Sequence, residues 1–104
     1  MNEISPIGFF KLSQSTNSTK IIDVRDFNEF EEYHIKSSIN VPLHTLCEKP
    51  HVYLNTNYKY YLICKNGSKS KIATKYLTDI GYNVVNVIGG LNSMIETNLV
   101  TYFY

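Results

Sequence analysis

The segment Cys64-Lys65-Asn66-Gly67-Ser68-Lys69-Ser70 brings together one thiol, a glycine turn, two hydroxyls and two cations, the residue types that sulfur chemistry needs. An apolar run, Tyr60-Tyr61-Leu62-Ile63, precedes it and a stretch with helical spacing follows. A cysteine that ends a strand and opens through a glycine turn onto a helix lies where backbone N–H groups point at its sulfur, so the thiolate is favoured there. An ordinary thiol, with a pKa of about 8.5, is only a few per cent ionised at neutral pH, and lowering that value by about two units takes about 2.7 kcal/mol. A helix terminus supplies about 0.3–1 kcal/mol when exposed and up to about 2 when partly buried. Direct N–H donors and a cation, Lys65 or Lys69, must supply the rest. The alternative is a small buried strand cysteine without chemistry. A core cysteine needs no donor-rich turn after it, so Cys64 is read as a nucleophile, and Lys65, Asn66, Gly67, Ser68, Lys69 and Ser70 as the donor-rich turn that forms its site.

Loop length separates this segment from two neighbouring classes. Cysteine phosphatases need C-x-x-x-x-x-R, a ring large enough for tetrahedral phosphate, but the sixth residue after Cys64 is Ser70 and the cation comes one position earlier, at Lys69. A nucleotide P-loop needs glycine directly before lysine and another glycine five residues earlier. Neither is present around Lys69. The other chemistry-bearing residues read as scaffold. Asp23 suits a strand-end carboxylate that accepts backbone N–H groups, and Arg25 a partner for Glu29 or a neighbouring acid. His34, His44 and His51 have no metal-building spacing, and His34 suits a hydrogen-bonded scaffold role. Cys47 could resolve a disulfide, but nothing in the sequence places it beside Cys64, so a packing role is preferred. These spacings build no metal site.

The elements that must position Cys64 follow from pattern. Ser5-Pro6 reads as an N-cap and first helical turn, continued through Ile7, Phe10 and Lys11 to about Ser15. Ile21-Ile22-Asp23-Val24 reads as a buried strand, Asp26 as a cap, and Phe27, Phe30 and Tyr33 as one face of an amphipathic helix. Ile39-Asn40-Val41 is a short strand stopped by Pro42. Leu43 to about Cys47 forms a helical turn, and residues 48–57 read as loop. Tyr60 to Cys64 is the clearest strand, and Ile72, Ala73, Tyr76, Leu77 and Ile80 mark the buried face of the next helix, closed by Gly81. Val84 to Ile88 gives a further strand, Gly89-Gly90 a turn, and Leu91 to about Glu96 a short helix. The apolar tail, residues 99–104, is expected to pack on the core. Strands alternating with helices imply an α/β fold: a small, mostly parallel sheet flanked by helices on both faces. In such sheets the reactive crevice lies outside the carboxyl ends of the strands, where Arg25, Cys64 and Gly89 fall.

Composition bounds the rest. With 104 residues, of which 43% are hydrophobic and 18% charged, the chain fits one domain, 1–104, with its own core rather than a disordered segment. A net charge of +1 gives no electrostatic reason for a nucleic acid or an acidic membrane as partner. No apolar run reaches the roughly 18 residues of a membrane helix, and Met1-Asn2-Glu3 lacks a secretion signal's basic start, so a cytoplasmic protein is expected. Two cysteines are too few for a disulfide framework.

The same residues resemble the rhodanese-like domain family. The segment from Cys64 to Ser70 is similar to that family's active-site loop, C-x-x-G-x-R-S. Asp23-Val24-Arg25, Glu29-Phe30, His34-Ile35 and Ser38-Ile39-Asn40-Val41-Pro42 resemble its first signature, D-V-R, E-[FY], G-H-I and A-x-N-[IV]-P. Gly81-Tyr82 and Gly89-Gly90-Leu91 follow in order. Three positions depart: Lys69 stands for the usual arginine, Tyr33 for a glycine, and Met94 where an aromatic is common. The resemblance implies a sulfurtransferase of the thiosulfate type that requires no metal or organic cofactor. In it Cys64 takes a sulfane sulfur from an anionic donor, thiosulfate or a polysulfide, and passes it from a persulfide to a thiol or protein acceptor, such as a thioredoxin-like one. The second reading is a binding or sulfur-carrier module in which Lys69, a flexible point charge, weakens the anion site.

Overall fold

The computed structural model describes residues 2–15 and 18–98. In chain order the elements are β1 (Glu3–Ile4), α1 (Pro6–Ser15), β2 (Lys20–Asp23), α2 (Phe27–Glu32), β3 (Ile39–Asn40), α3 (Leu43–Glu48), α4 (Pro50–Tyr53), β4 (Lys59–Ile63), α5 (Ser68–Asp79), β5 (Asn83–Val87) and α6 (Gly90–Glu96). The five strands form one sheet in the order β1-β5-β4-β2-β3, and every pairing is parallel. The expected α/β architecture is therefore present, with a fully parallel sheet.

Period-two alternation divides the strand residues between two apolar layers. Ile22, Val24, Leu62, Cys64 and Val84 pack with Ala73 and Leu77 of α5 and Leu46 of α3. On the other face Ile21, Tyr61, Ile63, Val85 and Val87 pack with Phe9 of α1 and with Leu91 and Met94 of α6. Met94 is fully buried there, so its departure from an aromatic is a matter of packing.

Several local expectations give way to tertiary context. β1 is too short to show periodicity and exists because Glu3 and Ile4 pair with Asn86 and Val87. The loop expected over residues 48–57 contains α4, which begins at Pro50, whose fixed φ suits a first helical position. Ser5 caps α1 through a hydrogen bond from Gly8 N to its Oγ, 3.0 Å, but the residue buried by α1 is Phe9, and Ile7 is exposed. Asp26 precedes α2 without a side-chain cap, and Phe27 faces solvent. The tail expected to pack on the core lies outside the described residues.

The largest difference is on α5. Its buried residues are Ser70, Ala73, Thr74 and Leu77, while Ile72, Tyr76 and Ile80 are exposed. At about 100° per residue, Ile72 and Tyr76 lie on the far side from Ser70. Ser70 is turned inward, and the apolar residues on its opposite side cannot follow.

Where β2 and β4 leave the sheet, the chain order changes direction, because β3 lies on one side of β2 and β4 on the other. A buried ion pair holds this point. The Arg25 guanidinium meets Asp23 through Nε to Oδ1 at 3.0 Å and Nη2 to Oδ2 at 2.8 Å, and the Arg25 amide donates to the same Oδ1. Nη2 also donates to Tyr33 O at 2.7 Å, and the guanidinium lies over the Tyr33 ring. Asn40 Nδ2 donates to the carbonyls of Asp23 and Arg25, tying β3 to the same corner. The partner of Arg25 is thus Asp23 rather than Glu29, and both have the scaffold role expected of them. Removing one member of such a pair leaves a buried charge uncompensated. Arg25→Met should cost about 3–5 kcal/mol in urea unfolding, and adding Asp23→Leu should recover part of the loss. A loss below about 1 kcal/mol for the single variant would show that the pair does not hold the corner.

Candidate active site

Cys64 directly follows β4, with its side chain on the α5 face of the sheet. Gly67 then adopts φ +91°, in the left-handed region, and turns its N–H back onto Cys64 Sγ at 3.2 Å. A side chain at Gly67 would approach Gly89 N at 2.9 Å. The first turn of α5 brings Ser70 N–H to the same sulfur at 3.3 Å, with Ser70 Oγ also 3.3 Å away. The sulfur is therefore lined by two amides and a hydroxyl. Although Cys64 is only 1% exposed, it forms part of the wall of a pocket of about 160 Å³ with Arg25, Glu29, Lys65, Asn66, Ser68 and Lys69.

The remaining amides of the turn sort into two groups. Ser68 N–H and Oγ–H both donate to Asn66 Oδ1, at 3.0 and 2.7 Å, so the Asn66 side chain caps α5. The amides of Lys65, Asn66 and Lys69 have no protein acceptor among the described residues. Their direction follows from the opposite side of the peptides. Cys64 O accepts from Leu91 N at 2.9 Å and Lys65 O from Asn92 N at 2.8 Å, both in the first turn of α6. In a trans peptide the N–H points opposite the C=O, so the amides of Lys65 and Asn66 turn away from α6. The cup expected from Lys65 to Ser70 thus has two amides aimed at Sγ, three without an acceptor, and one committed to the Asn66 cap.

Of the residues predicted to bind substrate, Lys65, Asn66, Ser68 and Lys69 are exposed and line the pocket. Gly67 and Ser70 are buried beneath the sulfur and act by placing it. Cys47 sits partly buried against the apolar layer that contains Cys64. Burial pushes its thiol up from the ordinary range, which keeps it protonated at neutral pH and makes it a poor nucleophile. His34 takes the scaffold role, with Nδ1 2.7 Å from Phe30 O and its ring stacked on Phe30. Among the described residues no group of three or more His, Cys, Asp or Glu side chains is arranged to hold a metal ion.

Sequence reasoning missed Asn86 and Glu3. Ser70 Oγ donates to Asn86 Oδ1 at 2.6 Å, and Asn86 Nδ2 donates to Glu3 Oε2 at 3.1 Å. The available signal was a single polar residue within the apolar run Val84-Val85-Asn86-Val87-Ile88, because a buried amide must find partners.

A cysteine just past the carboxyl end of the central strand of a parallel sheet, facing a donor-lined turn, defines a class of thiol-based site, and comparison with known proteins gives the family. The rhodanese-like domain model matches residues 10–97, and the chain belongs to that family. YrkF of Bacillus subtilis, which carries a sulfur-carrier name, is 36% identical over 90 residues, covering 86% of this chain and 48% of YrkF. YtwF of the same organism, which carries a sulfurtransferase name, is 30% identical over 91 residues, covering 88% of this chain and 87% of YtwF. The chain thus spans about half the length of the first relative and most of the second. A rhodanese-related protein from Thermoplasma volcanium superposes with a TM-score of 0.83 at 32% identity, over 93% of each chain.

Gly90 lets α6 reach the loop. It adopts φ +59°, and a Cβ there would run into Cys64 O, Lys65 O at 2.8 Å and Gly67 N at 2.9 Å, all backbone atoms that cannot swing aside. Gly90→Ala should therefore lose about 2–4 kcal/mol of stability in urea unfolding, from left-handed strain and overpacking together. Gly81→Ala, with nothing within 4 Å of the added atom, should lose only the strain, about 1–2 kcal/mol. Equal losses would show that the clamp is not tight.

Proposed function

We propose that the chain is a sulfurtransferase in which Cys64 carries a sulfane sulfur between an anionic donor and a thiol acceptor. With thiosulfate, the Cys64 thiolate attacks the outer sulfur, a new S–S bond forms, the S–S bond of the donor breaks, and sulfite leaves with the bonding electron pair. The resulting persulfide is an anion whose charge lies on the outer sulfur. An acceptor thiolate then attacks that sulfur, takes it, and returns the Cys64 thiolate. Atoms and electrons balance with no added oxidant or metal.

The observation that carries this reading is the division of labour among the amides. Gly67 and Ser70 hold Sγ, while the N–H groups of Lys65, Asn66 and Lys69, without an acceptor among the described residues, are left for a further anionic atom. Lys65 and Lys69 draw anionic donors to the pocket. A protein or low-molecular-weight thiol fits as acceptor, because the pocket opens beside an exposed loop. The free thiols Cys47 and Cys64 suit a reducing cytoplasm, and no helix among the described residues is long and apolar enough to cross a membrane. A second reading, a sulfur carrier with little turnover on thiosulfate, is favoured by Lys69. A lysine presents a point charge where an arginine fork would bind an oxyanion through two bonds.

After incubation with thiosulfate or a polysulfide, intact-mass spectrometry should show a gain of one sulfur atom that Cys64→Ser lacks. No gain with either donor would overturn the proposal. Lys69→Arg should raise kcat/KM for thiosulfate by roughly 3- to 10-fold, the worth of about 1 kcal/mol from one added solvent-exposed hydrogen bond. Unchanged kinetics would show that donor binding does not limit the wild-type loop.

A further inference from the structure

Glu3 of β1, Asn86 of β5, Ser70 of α5 and Cys64 just after β4 form an unbroken hydrogen-bond chain. Glu3 and Asn86 are register partners in β1 and β5. Asn86 is 2% exposed and Ser70 is fully buried. A carboxylate only accepts, so Asn86 must turn Nδ2 to Glu3 and is left presenting Oδ1 to Ser70. An amide oxygen also only accepts, so the single Ser70 hydroxyl proton goes to Asn86 along the 2.6 Å contact, in preference to the Gly67 carbonyl at 3.4 Å. The Ser70 oxygen then faces Cys64 Sγ at 3.3 Å with lone pairs. Every proton in the chain points toward Glu3.

We propose that Glu3 and Asn86 are positioning residues that set this direction and so withhold the Ser70 hydroxyl from an anion at Sγ. The bare thiolate then keeps only the two amide donors, Gly67 and Ser70, whereas a thiol gains Ser70 Oγ as its acceptor. Once an outer sulfur is attached, the charge moves off Sγ and the direction of the chain costs nothing. Resting on the transfer reading above, the device favours the loaded cysteine over the bare thiolate and keeps the unloaded site from reacting with stray electrophiles.

Direction must be separated from simple charge. The other charged groups around the pocket are Arg25 from the end of β2, Glu29 from α2, Lys65 from the loop and Lys69 from α5, with Cys47 of α3 on the apolar layer behind. All but Cys47 stay constant in the experiment, which uses a Cys47→Ser background. The rate of iodoacetamide alkylation of Cys64 is followed by intact mass against pH. Glu3 is exposed on a short edge strand, so its replacement leaves the core intact. Glu3→Ala frees the Asn86 amide to rotate and the Ser70 hydroxyl to donate to sulfur, so the alkylation midpoint should fall by about 0.5–1 pH unit. Glu3→Lys, which supplies a donor in place of an acceptor, should lower it further. In the Ser70→Ala background both shifts should shrink by more than half, because no hydroxyl remains to be redirected. Shifts of equal size with and without Ser70, or no shift at all, would overturn the proposal. Alkylation needs no sulfur donor, so this outcome is independent of the mass-gain experiment.

Discussion

Peptide planarity is the constraint on which the site depends. To hold a sulfur anion without a counter-ion, several N–H groups must face one point, and each must belong to a peptide whose carbonyl is satisfied on the opposite side. In this chain the carbonyls of Cys64 and Lys65 are taken up by the first amides of α6. That contact requires α6 to approach the loop at backbone distance, which Gly90 allows. The glycine turn after β4 and the glycine pair after β5 are therefore two halves of one structure.

The opposite wall is built on a different principle. Asp23 and Arg25 are charged, buried and mutually satisfied, and their remaining bonds reach Tyr33 and Asn40. Such a pair contributes little net stability over an apolar replacement, but it fixes geometry, because each partner is costly to leave alone. It holds the ends of β2 and β3 and the chain after α2 in one arrangement, against which the Cys64 loop closes the pocket. Tyr33 takes part through its carbonyl and ring, so its presence in place of a glycine is tied to the scaffold. By contrast Lys65 and Lys69 are exposed, and they act on donors by charge rather than by fixed geometry.

Relatives that carry sulfur-carrier and sulfurtransferase names share this family, so membership of the fold does not by itself separate the two readings. A nucleophile that must react quickly benefits from every donor its turn can offer. A carrier benefits more from stabilising the loaded form. Among the described residues, the Ser70 hydroxyl is the one group beside the sulfur whose proton direction is not fixed by backbone, which makes it the point at which such a difference can be set.

Local chemistry determined much of this protein from sequence. The apolar runs around Ile22, Leu62 and Val85 read as buried strands, Ser5-Pro6 as a helix start, and the turn from Cys64 to Ser70 as a donor-rich cup, because strand period, capping and turn preference act over a few residues. Only the tertiary structure decided the features that depend on contacts distant in the chain. β1 forms because β5 offers an edge. α5 turns Ser70, Ala73, Thr74 and Leu77 inward because Ser70 must meet the sulfur, and this overrides the apolar stripe of Ile72, Tyr76 and Ile80. The chain from Glu3 through Asn86 to Ser70 joins residues 83 positions apart, a separation over which no periodicity carries information.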